Sequence, residues 1–250
     1  LYRAEGVPLY AVELLRMLVD RGDLEVVDGV YEVRGRLEQL AVPETLHALV
    51  AARHDGLDPE DRMLLRDAAV LGQAFRPAAL AAIAGTSGEA IEPSRRRLVR
   101  RELLVPDADD RTPGRDRLRF SEWLVREVAY GTLAMRARRT LHLAAAGHYE
   151  SLGDPELSGT VASHVLAAYR AVPPGRADAT VAERAVAALR TAADRASELY
   201  AHEMALGFLE EALSVATDGA VRAVLLERAA TSAQASARLK EAEDHIRRAI

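Results

Sequence analysis

The sequence predicts a mainly α fold with two small β-hairpins, and three observations carry that expectation. Alanine and leucine crowd the apolar positions while aromatics make up only 4% of the 250 residues, a helix-favouring mixture with small residues where helices meet. Apolar residues recur at helical spacing through most of the chain, with proline, acid and glycine punctuation at the ends. Two β-prone stretches carry turn signals, at Asp28-Gly29 and Pro113-Gly114.

Pro8 opens a helix over 8–21, where Leu9, Val12, Leu15 and Val19 repeat at helical spacing and Gly22 stops it. Arg21-Gly22-Asp23 matches an integrin-binding tripeptide, but a glycine stop after a helix accounts for it. Residues 24–33 then read as a hairpin and 43–54 as a short helix. Asp58-Pro59-Glu60-Asp61 offers a cap residue, a proline at the first position and acids in the first turn, predicting a helix that runs to Leu71. Helices over 77–84 and 88–101 follow, then strands at Leu103-Leu104-Val105 and Arg117-Leu118-Arg119-Phe120 across a polar loop at 107–116. Three helices and then a hairpin is the order of a winged helix. Beyond Phe120 the pattern is helical at 121–133, 135–152, 155–170, 179–200, 202–216, 219–236 and 238–250, with Pro173-Pro174-Gly175 as the clearest linker.

The last of these helices repeat. Leu189, Ala193, Ala196, Ala205, Leu209 and Ala212 correspond to Leu226, Ala230, Ala233, Ala242, Ile246 and Ala249, each pair 37 positions apart. Small residues at Ala193 and Ala205 let antiparallel helices approach closely, which is the packing logic of tetratricopeptide-like helix pairs. The expected division is 1–57 for opening helices with a small hairpin, 58–134 for a winged helix and 135–250 for helical repeats. The chain opens at Leu1 inside a continuing element and ends at Ile250 inside a repeat, which predicts a piece of a longer protein.

Charge and composition exclude several functions. Thirty-three basic against 38 acidic residues give a net charge of −5, which disfavours a globally basic nucleic-acid binder. The absence of cysteine removes disulfides, thiolate zinc sites and cysteine nucleophiles together. No apolar run approaches the roughly 18–20 residues of a membrane helix, and no signal peptide is visible, so a cytoplasmic location without membrane contact is expected.

Catalytic constellations are missing too. Lys240, the only lysine, follows no phosphate loop, and His202-Glu203 lacks a zinc-protease partner because position 206 is leucine. His142 and His148, six apart, do not share a helical face and read as surface or partly buried residues. Asp107, Asp109 and Asp110 suggest a cation loop, but Thr112 and Leu118 occupy the positions where calcium needs glycine and a bidentate acid. The expectation is no catalytic residue, no metal and no cofactor held by these residues alone. One basic cluster stands out: Arg95, Arg96, Arg97, Arg100 and Arg101 lie on the third helix of the winged-helix pattern, where they would contact nucleic acid or a neighbouring domain.

Three segments resemble one family. Glu5-Gly6-Val7-Pro8-Leu9-Tyr10 with Glu13-Leu14-Leu15 is the first. Val42-Pro43-Glu44-Thr45-Leu46 through Ala51-Ala52-Arg53, with Leu57, Leu64-Leu65, Ala68-Ala69-Val70-Leu71-Gly72 and Phe75, is the second. The third is Phe120-Ser121-Glu122-Trp123-Leu124-Val125-Arg126-Glu127-Val128-Ala129-Tyr130, then Arg138-Arg139 and Leu141-His142. Together they resemble the signal-transduction ATPases with numerous domains, the STAND class, above all the actinobacterial AAA-type regulators fused to an adenylyl cyclase or a LuxR-type DNA-binding domain.

The resemblance implies that 1–57 is the C-terminal part of an ATPase lid and that the Walker motifs lie upstream. It further implies ATP or ADP as cofactor of the parent protein, with Gly6 and Pro8 near the adenine and Glu122 on the phosphate side. The family has histidine where this chain has Glu122, and a carboxylate facing a diphosphate repels it, so weakened ADP locking is expected. The implied role is regulatory, with an upstream nucleotide domain as partner in cis and an unknown effector on the repeats. Two alternatives stand beside it. One is a winged-helix transcription regulator that binds DNA. The other is a passive repeat scaffold anchoring peptides on Tyr200, His202, Glu203 and Lys240.

Overall fold

The computed structural model describes residues 8–27, 30–33, 43, 45–107, 117–172 and 178–249. The turns predicted at Asp28-Gly29 and Pro113-Gly114 and the linker at Pro173-Pro174-Gly175 lie outside them. The chain divides into two units, 1–133 and 134–250, and both are mainly helical. No helix among the described residues is long and apolar enough to cross a membrane.

In the first unit α1 (Pro8–Asp20) starts at the predicted proline. It ends where Gly22 takes φ 77° and the Asp23 amide donates back to the Leu18 carbonyl, a left-handed closure that suits glycine. The strands β1 (Leu24–Val27) and β2 (Val30–Val33) pair antiparallel with Leu24 opposite Val33. The next helix, α2 (Leu46–Asp55), begins three residues later than its sequence suggests. Thr45 caps it by accepting from the Ala48 amide at 3.1 Å, while the Pro43 carbonyl accepts from the Tyr10 hydroxyl at 2.5 Å. Tyr10, Met17, Leu18, Leu24 and Leu49 close a small core between these elements.

Then come α3 (Pro59–Val70), β3 (Ala74–Phe75), α4 (Pro77–Ile83), α5 (Gly88–Arg100), β4 (Leu104–Pro106), β5 (Leu118–Phe120) and α6 (Trp123–Gly131). The sheet order is β3-β5-β4, antiparallel throughout. Strand β3 was not expected, because two residues are too few to show an alternating pattern. It is fixed from outside instead: the Phe120 amide donates to the Gln73 carbonyl at 2.9 Å, and Gln73 Nε2 donates back to the Phe120 carbonyl at 3.0 Å. Phe75 and Phe120 meet at 5.9 Å, and Leu65, Leu80, Leu98 and Leu104 of the same elements are fully buried. Asp58 occupies the expected cap position of α3 but makes no side-chain cap bond.

The second unit is a run of helices: α7 (Met135–Ser151), α8 (Ser158–Arg170), α9 (Ala179–Glu198), α10 (His202–Val215), α11 (Gly219–Ala235) and α12 (Leu239–Ala249). The helix predicted from 155 splits, because Asp154 accepts from the Glu156 amide and holds Pro155–Leu157 as a 3-10 turn ahead of α8. Each helix packs on the next. Ion pairs also tie every second helix: Arg184 with Glu150 joins α9 to α7, Arg228 with Asp194 joins α11 to α9, and Arg170 with Glu211 joins α8 to α10. The helices therefore lie in two layers, α7-α9-α11 and α8-α10-α12. Between the layers Leu189, Leu206, Leu209 and Leu225 are buried among Ala193, Ala205, Ala212 and Ala229, whose methyl groups allow close helix approach.

The 37-residue offset extends to the backbone. After α9, the Tyr200 amide donates to Ser197 and the Ala201 amide to Ala196; after α11, Ala237 donates to Gln234 and Arg238 to Ala233. Tyr200 and Ala237 both take left-handed φ, 58° and 60°. Two matched pairs depart: Leu209 and Ala212 are buried, whereas Ile246 is 51% exposed and Ala249 only partly buried, since no helix follows α12 among the described residues.

Candidate functional site

The arginine-rich helix is built for stability at one end and exposure at the other. Ser87 caps α5 by accepting from the Ala90 amide at 3.2 Å, and the helix buries Ile91, Ser94 and Leu98. Arg95 and Arg96 both fold onto Glu92, at 2.6 Å each, and these bonds pull the Glu92 carboxyl down to about 2. Arg97 grips the fully buried Asp61 of α3, with Nε at 2.8 Å and Nη2 at 2.6 Å, and Nη2 also donates to Ser94 Oγ at 2.8 Å. Burial alone would raise the Asp61 carboxyl, but the Arg97 and Ser94 bonds outweigh it and hold it below its ordinary range.

Three of the five arginines are thus committed to acids of the same unit. The Arg101 side chain makes one long contact to the Gly56 carbonyl at 3.4 Å, and the Arg100 side chain is exposed with no ion pair among the described residues.

The residues expected near a nucleotide are apart in kind. Gly6 lies outside the described residues. Pro8 is the exposed first residue of α1. Glu122 occupies the cap position of α6 with φ −134°, makes no side-chain cap bond, and stands beside the exposed Trp123. No described hydrogen bond or ion pair joins Pro8 to Glu122. Of the acidic loop, Asp107 pairs with Arg117 at 3.6 Å, while Asp109, Asp110 and Thr112 lie outside the described residues.

The second unit carries two grooves that share a wall on α9. A groove of about 510 Å³ runs between the end of α7 and α9, with Tyr149, Val161, Ala188 and Thr191 in its walls and the Glu150–Arg184 pair, 2.8 Å apart, across it. A second, of about 300 Å³, runs from α9 to the turn before α11, over Val186, Val215, Ala216 and Val221, with Glu183, Arg190 and Asp218 at its polar edge. Ala187 of α9 lines both, so they flank a single helix. Tyr200, His202, Glu203 and Lys240, the anchors expected for a scaffold groove, line neither.

Beneath the first groove lies a feature that sequence reasoning missed. His142 of α7 and His164 of α8 are both buried and approach Nδ1 to Nδ1 at 2.9 Å, so one ring must donate and the other accept. Tyr149, which lines the groove, stacks on His164 at 5.6 Å with planes 13° apart. Burial pushes His164 down to about 4. The pair was invisible because its members are 22 positions apart on different helices; the six-residue spacing of His142 and His148 concerned the wrong partner. Among the described residues no group of three His, Cys, Asp or Glu is placed to hold a metal ion.

The chain matches no protein-family model, no curated protein and no solved structure.

Proposed function

We propose that the chain is a regulatory and sensor segment of a nucleotide-switched signalling ATPase of the STAND class. In this reading an effector binds the second unit, a tetratricopeptide-like repeat, and biases the ATP or ADP state of an upstream nucleotide domain. The first unit is the linking element: the end of an ATPase lid, then a winged helix over 58–134. The observation that carries the reading is the pair of effector-sized grooves that meet at Ala187 of α9. Also in its favour are the recurrence of residues and turns at 37 positions, and the succession α3, α4, α5, β4, β5 expected of a winged helix.

An effector can shift a switch only by its differential affinity for the two states. The parent protein is therefore expected to show different hydrogen-exchange protection of residues 8–133 with ADP and with ATP, and the chain alone to bind neither nucleotide tightly. Equal protection in the two nucleotide states would remove the switch. Glu122→His in the parent is expected to tighten ADP binding, since it replaces a repelling carboxylate by a donor; unchanged ADP affinity would remove the locking argument. The DNA-reading alternative loses ground because Arg95, Arg96 and Arg97 are already paired with Glu92 and Asp61.

A further inference from the structure

We propose that the groove between α1 and the C-terminal end of α5 is a docking surface for a partner protein's amphipathic helix, one with acidic residues beside its apolar ridge. The inference concerns the first unit alone and does not rest on the switch reading.

Val12, Leu15 and Val19 of α1 are 42%, 38% and 37% exposed. Their spacing makes them a ridge on one face, not scattered apolar surface. The ridge runs from Val12 to Val19, a rise of roughly 10 Å or two helical turns. That is the length over which a bound helix presents its own anchors at i, i+3 or i+4, and i+7. Alongside runs a groove of about 310 Å³, lined by the ridge, Tyr31 of the hairpin, four arginines and two acids.

The charge in the groove selects the flank of the partner. Four arginines line it against two acids, and with the buried Glu13 beneath them the balance stays positive, in a chain whose net charge is −5. Two of the four are engaged internally. Arg53 is buried and donates to Glu13 at 2.5 Å, Asp20 at 3.0 Å and the Arg101 carbonyl at 2.5 Å, while Arg16 spans Glu13 and Glu102. The other two, Arg100 and Arg101, stand at the rim and form no ion pair with an acid among the described residues, Arg101 acting on the buried Asp61 only through its field.

A small anion would use the rim and leave the ridge in water; a purely apolar helix would cover the ridge and leave the guanidinium groups beside it unanswered. A helix with both features uses both. The floor is also preorganised, because Arg53 fastens α1, α2 and the end of α5 together, which keeps the ordering cost of binding low.

The test is a display library of helical peptides of roughly five turns, with ridge and flanks randomised. It is selected on the purified chain and counter-selected on the Val12→Glu variant. The expected winners carry apolar residues at ridge spacing with Asp or Glu beside them. A representative peptide, followed by fluorescence anisotropy, should lose about tenfold in affinity on Arg100→Glu. Val12 and Arg100 are exposed, so circular dichroism of both variants should match the parent chain. The proposal is overturned by winners without acidic bias, by no enrichment over the counter-selection, or by affinity indifferent to Arg100→Glu. Self-association of the chain that Val12→Glu abolishes would assign the ridge to a second copy and overturn it as well.

Discussion

Replacing Arg97 with alanine separates a structural arginine from a recognition arginine. Asp61 is fully buried, and Arg97 supplies three of its hydrogen bonds, at 2.6, 2.8 and 3.0 Å. Without the guanidinium, the carboxylate stays in the core of the first unit without its bidentate partner. Breaking a buried pair costs about 3–5 kcal/mol, and an exposed pair below about 1 kcal/mol. The Arg97 side chain is 35% exposed, so water reaches part of the vacated space. The expected loss for Arg97→Ala is therefore about 2–3 kcal/mol.

Adding Asp61→Asn should recover part of that loss, because the uncompensated charge goes too. The pH dependence has a definite sign. The folded Asp61 carboxyl lies below its ordinary 3.8, so its contribution is complete above that value and is lost as pH falls through the depressed one. Arg97→Ala should flatten this acid limb. Urea unfolding by circular dichroism, with hydrogen exchange on the α3 and α5 amides, reads each quantity. A loss under about 0.5 kcal/mol, the range of ordinary surface substitutions, would refute the burial argument and return Arg97 to the free cations.

Three further outcomes are expected. His164 is held neutral, its folded value near 4 against an ordinary 6.5, so stability is complete above 6.5 and declines as pH falls towards 4. The decline amounts to roughly 3 kcal/mol at most; urea titrations of the parent chain and His164→Gln should show it in the former and less of it in the latter, and identical profiles would count against it. Burial raises the Asp67 carboxyl to about 6, with Arg66 opposing, so stability falls as pH rises from the ordinary 3.8 through 6. Asp67→Asn should consequently gain about 1–2 kcal/mol in mildly alkaline buffer, after discounting for partial solvent access, and a loss there would reverse the assignment. Ala237→Gly removes a left-handed strain of about 1–2 kcal/mol and adds about 0.5–1 kcal/mol of unfolded-chain entropy, so Tm should rise slightly. A lower Tm would mean the Ala237 methyl makes contacts that outweigh its strain.

What the sequence disclosed of the first unit was whatever is encoded within a few neighbouring residues. Pro8 and Gly22 bracket α1, Pro59 with its acids opens α3, and the β-prone runs 24–27 and 30–33 pair as expected. Thr45 was overlooked because Pro43 also suits a helix start, and only the tertiary bond from Tyr10 shows that the Pro43 carbonyl is used elsewhere. Strand β3 exists because β5 lies beside it, which no local pattern encodes. The arginine cluster was visible as charge, but its partners were not. Glu92 lies three and four positions from Arg95 and Arg96, the spacing of helical ion pairs, and was readable. Asp61 is 36 positions from Arg97 and looked like a first-turn acid of α3, a role it fills while also anchoring α5.

In the second unit a spacing between small residues was legible while its consequence for the surface was not. Alanine at 193, 205 and 212 fixes how closely α9, α10 and their neighbours pack. The exposed Ala187 of α9 lines both grooves, and its methyl group leaves space on either side. The exposed anchors that composition suggested sit elsewhere. Tyr200 is 84% exposed because it occupies the left-handed turn position, where its backbone closes α9 and its side chain is thrown outward. The same turn at Ala237 uses a methyl group instead. The turn therefore requires a backbone conformation, not an aromatic side chain, and Tyr200→Ala should leave helix pairing intact, while Ala187→Trp, which sets a bulky ring on the wall shared by the two grooves, should not disturb the buried core and should obstruct a ligand seated against α9. Thermal unfolding of the two variants, each expected to stay close to the parent chain, tests that division; a large loss for Tyr200→Ala would show the ring contributing to the fold after all.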